Sequence, residues 1–382
     1  AQQYAEAWAA KGHRVTVLTS RVPGLAGRET VQGVDVVRAP VAGLKKRATV
    51  SFLSMLSFVV SAFFLVLFSR TRFAETDVIN THFSVPNGPL GFALSKLLGA
   101  PNLLTIIGGD IYDPTKGSSP HRRPVTRLLN SLVINAADQI VAISSDTKAR
   151  AQHYYAIRKP IDVINYGFIP FDLPQNPSVN LTRTNGEYYL IAVGRLVARK
   201  GFAHLIAALA STPDNVKQLL IGDGPLEGAL RRQARRSGVA ERVEFLGYQQ
   251  RTAIYEYLLS ADCFVLSSLH EGMGIVVQEA MYAGLPVVAT NVGGQVDLIE
   301  EAHNGLLVEP ENAAMLATAI RRLHEEDELR RRVAQNNAQD IEQYFIATNC
   351  EQYLTHFTRL TERFSMPAPV GWQMNSASRR VQ

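Results

Sequence analysis

Two glutamates, Glu271 and Glu279, stand with seven residues between them in the stretch HEGMGIVVQEAMYAG, and the first opens a turn bounded by Gly272 and Gly274. Glycine lets a backbone approach a ligand closely. The apolar spacing predicts a helix from near Ile275, whose free N–H groups would aim at the same spot, and that arrangement suits an anion. A carboxylate beside an anion repels it, unless it is aimed at neutral hydroxyls that donate charge-assisted hydrogen bonds to it. A nucleoside diphosphate carrying a sugar meets both demands. The spacing alone fits a plainer alternative equally well, with Glu271 as a charge favoured by the helix N-terminus and Glu279 as a surface residue.

A second cluster of candidates lies in AVGRLVARKGFAHLIAAL, where Arg195 and Lys200 flank a loop between a predicted strand and a helix opened by Gly201. Two cations at the carboxyl edge of a strand can neutralise both phosphoryl groups of a diphosphate; a solvated basic loop has the same composition. Gly222 and Gly224 in LLIGDGPLEGAL resemble part of a dinucleotide fingerprint, but no acidic residue follows at the ribose spacing, so a tight turn explains them as well. Asp110 and Asp113 in DIYD are too far apart in sequence for a metal-binding Asp-any-Asp pair. Cys263 and Cys350 are the only cysteines, which gives neither a disulfide framework nor a thiolate metal site. No metal or cofactor is therefore expected, and a reducing cytosol fits best.

These residues need two scaffolds. The chain of 382 residues is 46% apolar and 19% charged, which is a folded composition with room for two cores. The modest excess of 39 Lys and Arg over 34 Asp and Glu permits contact with phosphates or anionic lipid without implying nucleic acid. Short Val/Ile/Leu strands alternate with helical segments in two series, predicting two doubly wound α/β domains with parallel sheets. The expected domains are 1–168, a proline-rich linker at 169–186, and 187–340. Helices over 341–364 are expected to cross back to the first domain, followed by an aperiodic tail at 365–382. In such sheets ligands bind beyond the carboxyl ends of the strands, so the cleft between domains is the expected site.

The stretches VGRLVARKGF, LIGDGPLEGAL, VEFLGY and EGMGIVVQEAMYAGLPVVATNVGGQVDLIEEAHNGLLVEP, in this order, resemble the donor domain of the family 4 retaining glycosyltransferases, which have the GT-B fold of two Rossmann-like domains facing a cleft. The likeness runs from about Tyr4 to Leu360. It implies a donor-sugar contact for Glu271 and a ribose contact for Glu279. By the same carry-over Arg195 and Lys200 meet the diphosphate, with the amides of Met273, Gly274 and Ile275 completing its cradle. Tyr248, after VEFLG, is a candidate wall for the base, although a core tyrosine is equally compatible. The implied reaction is metal-independent transfer with retention from a nucleotide-diphosphate-sugar to a glycan or lipid-linked acceptor at the cytoplasmic membrane face.

The sequence departs from the family pattern in two places. In LLTIIGGDIYDP the position usually held by histidine is Ile107, while Asp110 is kept and is expected to face the cleft; His82, ending the strand DVINTHF, could stand nearby. The strand and glycine-rich loop that precede the first helix in the family are not found, and AQQYAEAWAAKGHRV resembles that helix itself. A fragment of a longer protein is the favoured explanation. These departures suggest one alternative to transfer, a non-catalytic subunit that binds nucleotide sugar; an epimerase or hydrolase that shares the fold is another. Finally, the uncharged run at 49–68 is expected to form one or two helices rather than a membrane span, partly buried and partly offered to lipid. Lys45, Lys46, Arg47, Arg70 and Arg72 would lie at the headgroups and Lys116, Arg122, Arg123 and Arg127 would extend the basic face. A wholly buried run is the alternative.

Overall fold

The computed structural model describes residues 2–43, 52–173, 178–179 and 181–365. The Lys45, Lys46 and Arg47 cluster, and the tail beyond Ser365, lie outside the described residues, as does part of the expected linker, at 174–177 and 180. The first lobe runs through α1 (Gln2–Ala10), β1 (Thr16–Ser20), β2 (Arg28–Val31), β3 (Val34–Ala39), α2 (Phe52–Phe68), β4 (Ile79–His82) and α3 (Gly88–Leu98). It continues with β5 (Asn102–Ile106), α4 (Pro124–Ala136), β6 (Gln139–Ala142), α5 (Ser145–Tyr154) and β7 (Ile161–Val163). The second lobe contains β8 (Tyr188–Val193), α6 (Phe202–Leu209), β9 (Val216–Ile221), α7 (Glu227–Arg236), β10 (Val243–Gly247) and α8 (Arg251–Ser260). After these come β11 (Cys263–Leu266), α9 (Ile275–Tyr282), β12 (Val287–Thr290), α10 (Gln295–Leu298), β13 (Leu306–Val308) and α11 (Ala313–Glu325), then α12 (Asp327–Asp340) and α13 (Ile346–Ser365).

The second lobe is the simpler. Its six strands are parallel in the order β10-β9-β8-β11-β12-β13, so the winding reverses between β8 and β11. At that reversal the loops leaving the two strands diverge to opposite faces, and a crevice opens at their carboxyl ends. Central strands covered on both faces must be apolar throughout, and every residue of β11 and β12 is buried.

The first lobe has two sheets among the described residues, β1-β3-β2 and β4-β5-β6-β7, with β1 and β4 each at an end of its sheet. The expectation of parallel strands holds except at β2, which pairs antiparallel with β3. Gln32 and Gly33, with φ of 49° and 78°, make the two-residue hairpin turn, a conformation that the pair Gln-Gly signals only weakly in sequence. From Phe52 on, the apolar run is a single helix, α2, whose Ala62 and Val66 pack with Leu90 and Leu94 of α3, while 49–51 lie outside the described residues. Among the described residues no helix is long and apolar enough to cross a membrane.

Helix α13 lies against the first lobe. Its Tyr353, 1% exposed, meets Tyr4 and Trp8 of α1 edge-on at ring separations of 5.3 and 5.8 Å, over Leu103 of β5 and Val141 of β6. A chain segment that follows the second lobe thus completes the core of the first. Tyr353→Ala is expected to cost about 3–5 kcal/mol, the usual price of emptying a buried aromatic site, and a denaturant titration followed by circular dichroism measures it.

Candidate donor site between the lobes

The site is assembled by loops that touch backbone to backbone. A β-carbon at Gly201 would lie 1.9 Å from the Ser267 carbonyl oxygen, and one at Gly222 would lie 2.0 Å from that of Gly194. The loops after β8, β9 and β11 therefore share one small space that only glycine permits. Hydrogen bonds lock them: the Leu269 amide donates to the Arg199 carbonyl at 2.7 Å, and the Leu196 amide to that of Asp223 at 2.7 Å. Gly222 and Gly224 thus serve loop packing, the tight-turn option. A fourth loop, after β12, comes as close, since a β-carbon at Gly293 would stand 2.0 Å from the Glu271 carbonyl oxygen.

Within this frame α9 begins at Gly274, whose φ of 72° ends the loop, and no side chain caps the helix. The amides of Met273, Gly274 and Ile275 donate no hydrogen bond among the described residues. Three successive free donors at a helix N-terminus form an anion cradle. Arg195, in the loop after β8, is exposed and has no ion-pair partner among the described residues.

The two carboxylates have different surroundings. Glu271 and Lys200 form an ion pair, with side chains only 13% and 11% exposed. Burial pushes the Glu271 carboxyl up, but the Lys200 ammonium, with help from Arg199 and His270, outweighs it and holds the group below its ordinary value. Glu279, one turn into α9, accepts from Arg251 at 2.9 Å and from the Tyr255 hydroxyl at 3.2 Å. There burial outweighs both partners and raises the carboxyl above its ordinary value. Neither is a free surface glutamate.

Two glycines and an aspartate have different contacts from those expected. Gly272 does not leave room for a ligand: a β-carbon there would lie 2.6 Å from the Ile107 carbonyl oxygen of the first lobe. Gly274 faces Gln295, whose Nε2 would be 2.6 Å from a β-carbon at that position. Asp110 is turned away from the cleft, because its carboxylate is engaged inside the first lobe. It accepts from the amides of Ile107 and Gly108 at 3.0 Å each and of Ser84 at 2.6 Å, and burial still leaves its carboxyl raised. Its effect on the site is indirect, through the Ile107–Gly108 turn that presses on Gly272. His82 lies at the carboxyl end of β4 with its Nδ1 2.7 Å from the Tyr166 hydroxyl, and burial pushes its pKa down to about 3. Tyr248 sits just beyond β10, 74% exposed.

Several residues escaped sequence reasoning. Gln295 and His270 are almost wholly buried beside the Glu271–Gly274 loop, and neither the amide of the first nor the ring nitrogens of the second have a hydrogen-bond partner among the described residues. Burial lowers the His270 pKa to about 4, so the ring is neutral. Buried polar groups left unpaired mark places for water or a ligand. Asp297 joins the lobes, accepting from the Ser145 amide and the Asn165 amide group at 2.8 Å each. Only Arg251 and Tyr255 had a signal in sequence, since they are four apart and share one helical face.

Removing Lys200 would strand a buried carboxylate. Lys200→Ala is expected to destabilise the protein by roughly 3 kcal/mol at neutral pH, and adding Glu271→Gln should restore most of it; thermal unfolding of both variants checks this. Because the Glu271 pKa is depressed on folding, the stabilisation is complete above its unfolded value of 4.5 and is lost as pH falls through the lower folded value. The single variant's deficit should therefore shrink in acid.

Comparison with known proteins adds an independent line. The family model for glycosyl transferases group 1 matches residues 178–340, and that for the glycosyl transferase 4-like domain matches residues 1–167. A Bacillus subtilis protein named as a teichuronic acid biosynthesis glycosyltransferase, TuaC, is 28% identical over 75% of this chain and 71% of its own length. The lipopolysaccharide core biosynthesis glycosyltransferase LpsD of Rhizobium meliloti is 31% identical over 54% of this chain and 59% of its own. The 2-deoxystreptamine glucosyltransferase of Streptomyces kanamyceticus is 26% identical over 82% and 85%. Among solved structures, sucrose-phosphate synthase from Thermosynechococcus elongatus superposes with a TM-score of 0.79 at 23% identity, covering 95% of this chain and 92% of that one. HepE of Anabaena, in complex with UDP and glucose, gives a TM-score of 0.68 at 24% identity over 85% and 86%. At such identities the structures speak for the fold. With the two family models dividing nearly the whole chain between them, on a pair of α/β lobes that meet at the switch point of the second, this chain belongs to the family 4 glycosyltransferases of the GT-B type.

Proposed function

We propose that the chain is a retaining, metal-independent glycosyltransferase that moves a sugar from a nucleotide-diphosphate-sugar to a glycan or lipid-linked acceptor at the cytoplasmic membrane face. The observation that carries this reading is the Glu271–Lys200 pair set beside three free amides. A diphosphate entering the cradle competes for Lys200 and also draws on Arg195, and Glu271 is then released toward the hydroxyls of the attached sugar. In the reaction the bond between the anomeric carbon and the diphosphate oxygen breaks as the acceptor oxygen bonds to the same face. The acceptor proton passes to the departing diphosphate. Lys200, Arg195 and the helix N-terminus stabilise the charge that develops on the leaving group, which supplies electrostatically what a divalent ion would otherwise provide.

Glu279, held by Arg251 and Tyr255, is the ribose acceptor in this scheme. Tyr248, exposed beyond β10, is the candidate base platform. On the acceptor side the neutral His82 has its Nδ1 on the Tyr166 hydroxyl and its Nε2 3.4 Å from the Asn80 amide nitrogen, so it would accept from an incoming hydroxyl by exchanging the Asn80 contact, while Asp110 positions the turn against Gly272. The Anabaena structures with UDP and with UDP-glucose make uridine diphosphate the first ligand to try.

Calorimetric titration with uridine, guanosine and adenosine diphosphates tests the donor half. Glu279→Ala is expected to weaken nucleotide affinity roughly ten- to a hundredfold, the value of hydrogen bonds to a charged group, whereas Glu271→Ala should lower turnover with the nucleotide sugar and leave diphosphate binding less changed. The reverse pattern would overturn the assignment. Sugar released at full rate without acceptor would turn the reading to hydrolysis. A pH series adds a second check. The ribose hydroxyls need an ionised Glu279, whose carboxyl is raised, so the affinity ratio of wild type to Glu279→Gln should fall toward unity as pH drops through a value above 4.5.

A further inference from the structure

Helix α4 is amphipathic in the inverse sense for a surface helix. Val125, Leu128, Leu129 and Leu132 recur at helical spacing on one face and are 69%, 63%, 56% and 60% exposed. Its inward face is partly polar: Asn130 donates to the Asp110 carbonyl at 3.1 Å, and Ser131 accepts from the Ala156 amide at 3.2 Å. Helix α2 repeats the outward stripe with Leu53, Leu56, Val60, Phe64 and Phe68. Between them α3 adds the exposed Phe92, and Gly88 of α3 lets the two helices close up, since a β-carbon there would lie 2.3 Å from Val133 of α4. An apolar groove between α2 and α3, lined by Val60, Phe63, Phe64 and Pro89, opens on the same face. Outward leucine and phenylalanine stripes on neighbouring helices call for a partner.

Charge says which partner. No aspartate or glutamate occurs on α2, α3 or α4, nor anywhere in 36–74, 78–109 or 114–137, although the chain holds 34 acidic residues. Arg70, Arg123 and Arg127 border the stripes, exposed and without an acidic partner among the described residues. A two-fold contact with a second copy would set arginine rim against arginine rim with no carboxylate to answer it. A bilayer containing anionic lipid answers both the acyl-facing side chains and the unpaired arginines.

We propose that the α2–α3–α4 face is the surface on which this chain sits on an anionic bilayer, with the α4 stripe and the outward residues of α2 entering the acyl boundary and Arg70, Arg123 and Arg127 at the lipid phosphates. The inference deepens the membrane-face reading above and rests on it. It also ties the membrane to the cleft: Asn130, inward on the lipid-facing helix, holds the Asp110 carbonyl in the loop whose other end presses on Gly272.

Vesicle flotation of the full chain tests this, with phosphatidylcholine alone and with phosphatidylglycerol added. The chain should float with the mixed vesicles, and raised salt should release it. Leu128→Glu with Leu132→Glu should lower partitioning at least about tenfold, and Arg123→Gln with Arg127→Gln about fivefold per charge. Both pairs are exposed and outside the donor site, so melting temperature and nucleotide titration should match wild type. Wild type that ignores the mixed vesicles, or a leucine pair variant that floats as well as wild type, overturns the proposal. So does a dimer in sedimentation that the leucine pair variant dissolves, which would assign the face to a second copy. Flotation needs no donor and nucleotide titration needs no lipid, so failure of the surface and failure of the transferase reading give separate signatures.

Discussion

Backbone-to-backbone contact of loops at the carboxyl ends of β8, β9, β11 and β12 is the constraint on which the rest of the site depends. Gly201, Gly222 and Gly293 each stand where a β-carbon would fall within about 2 Å of a neighbouring carbonyl oxygen. A side chain at any of these points would push the loops apart. The sheet order places the loops at one crevice, and the glycines let them close on one another there. Lys200, on one loop, then meets Glu271, on another, and the start of α9 is left with its amides free.

That closeness also sets the electrostatics. Burial pushes both carboxyls up, yet they end on opposite sides of the ordinary value, because Glu271 faces a buried ammonium within ion-pair distance and Glu279 a more exposed guanidinium. A buried ion pair is a weak source of net stability, since desolvation offsets most of the attraction. In the function proposed above, each member is held in place until a diphosphate and a sugar replace its partner. Gln295 and His270, buried beside it, have side-chain nitrogens without a hydrogen-bond partner among the described residues.

The two lobes differ in how their parts are held. The second is a continuous six-stranded sheet with a core on each face. The first is divided into two sheets and draws on α13, from the far end of the chain, to cover Tyr4 and Trp8. Asp297 and the Ile107 carbonyl then fix the lobes across the cleft, through the N-terminus of α5 and the Gly272 contact. The helices on the outer side of the first lobe carry the apolar, acid-free face. The cleft, the lobe contact and the outer surface are thus linked through short stretches of the first lobe around Asp110 and Asn130.

Strand and helix alternation and the two-lobed plan were legible in the sequence, and Glu271, Glu279, Arg195 and Lys200 stood out there as candidates, because these features depend on period, residue type and order along the chain. The antiparallel β2 was not, since Gln-Gly is a poor herald of a hairpin and the turn is decided by two positive φ angles. Nor was the inward turn of Asp110, which follows from three amides converging on its carboxylate. The pairings Lys200–Glu271 and Arg251–Glu279 join residues 71 and 28 positions apart, and the outward direction of the α4 stripe depends on what packs behind it. Local sequence determines which residues can do chemistry and which elements carry them. Which carboxylate meets which cation, and which apolar face is left uncovered, only the tertiary structure decided, because those contacts join segments brought together only when the sheets and lobes close.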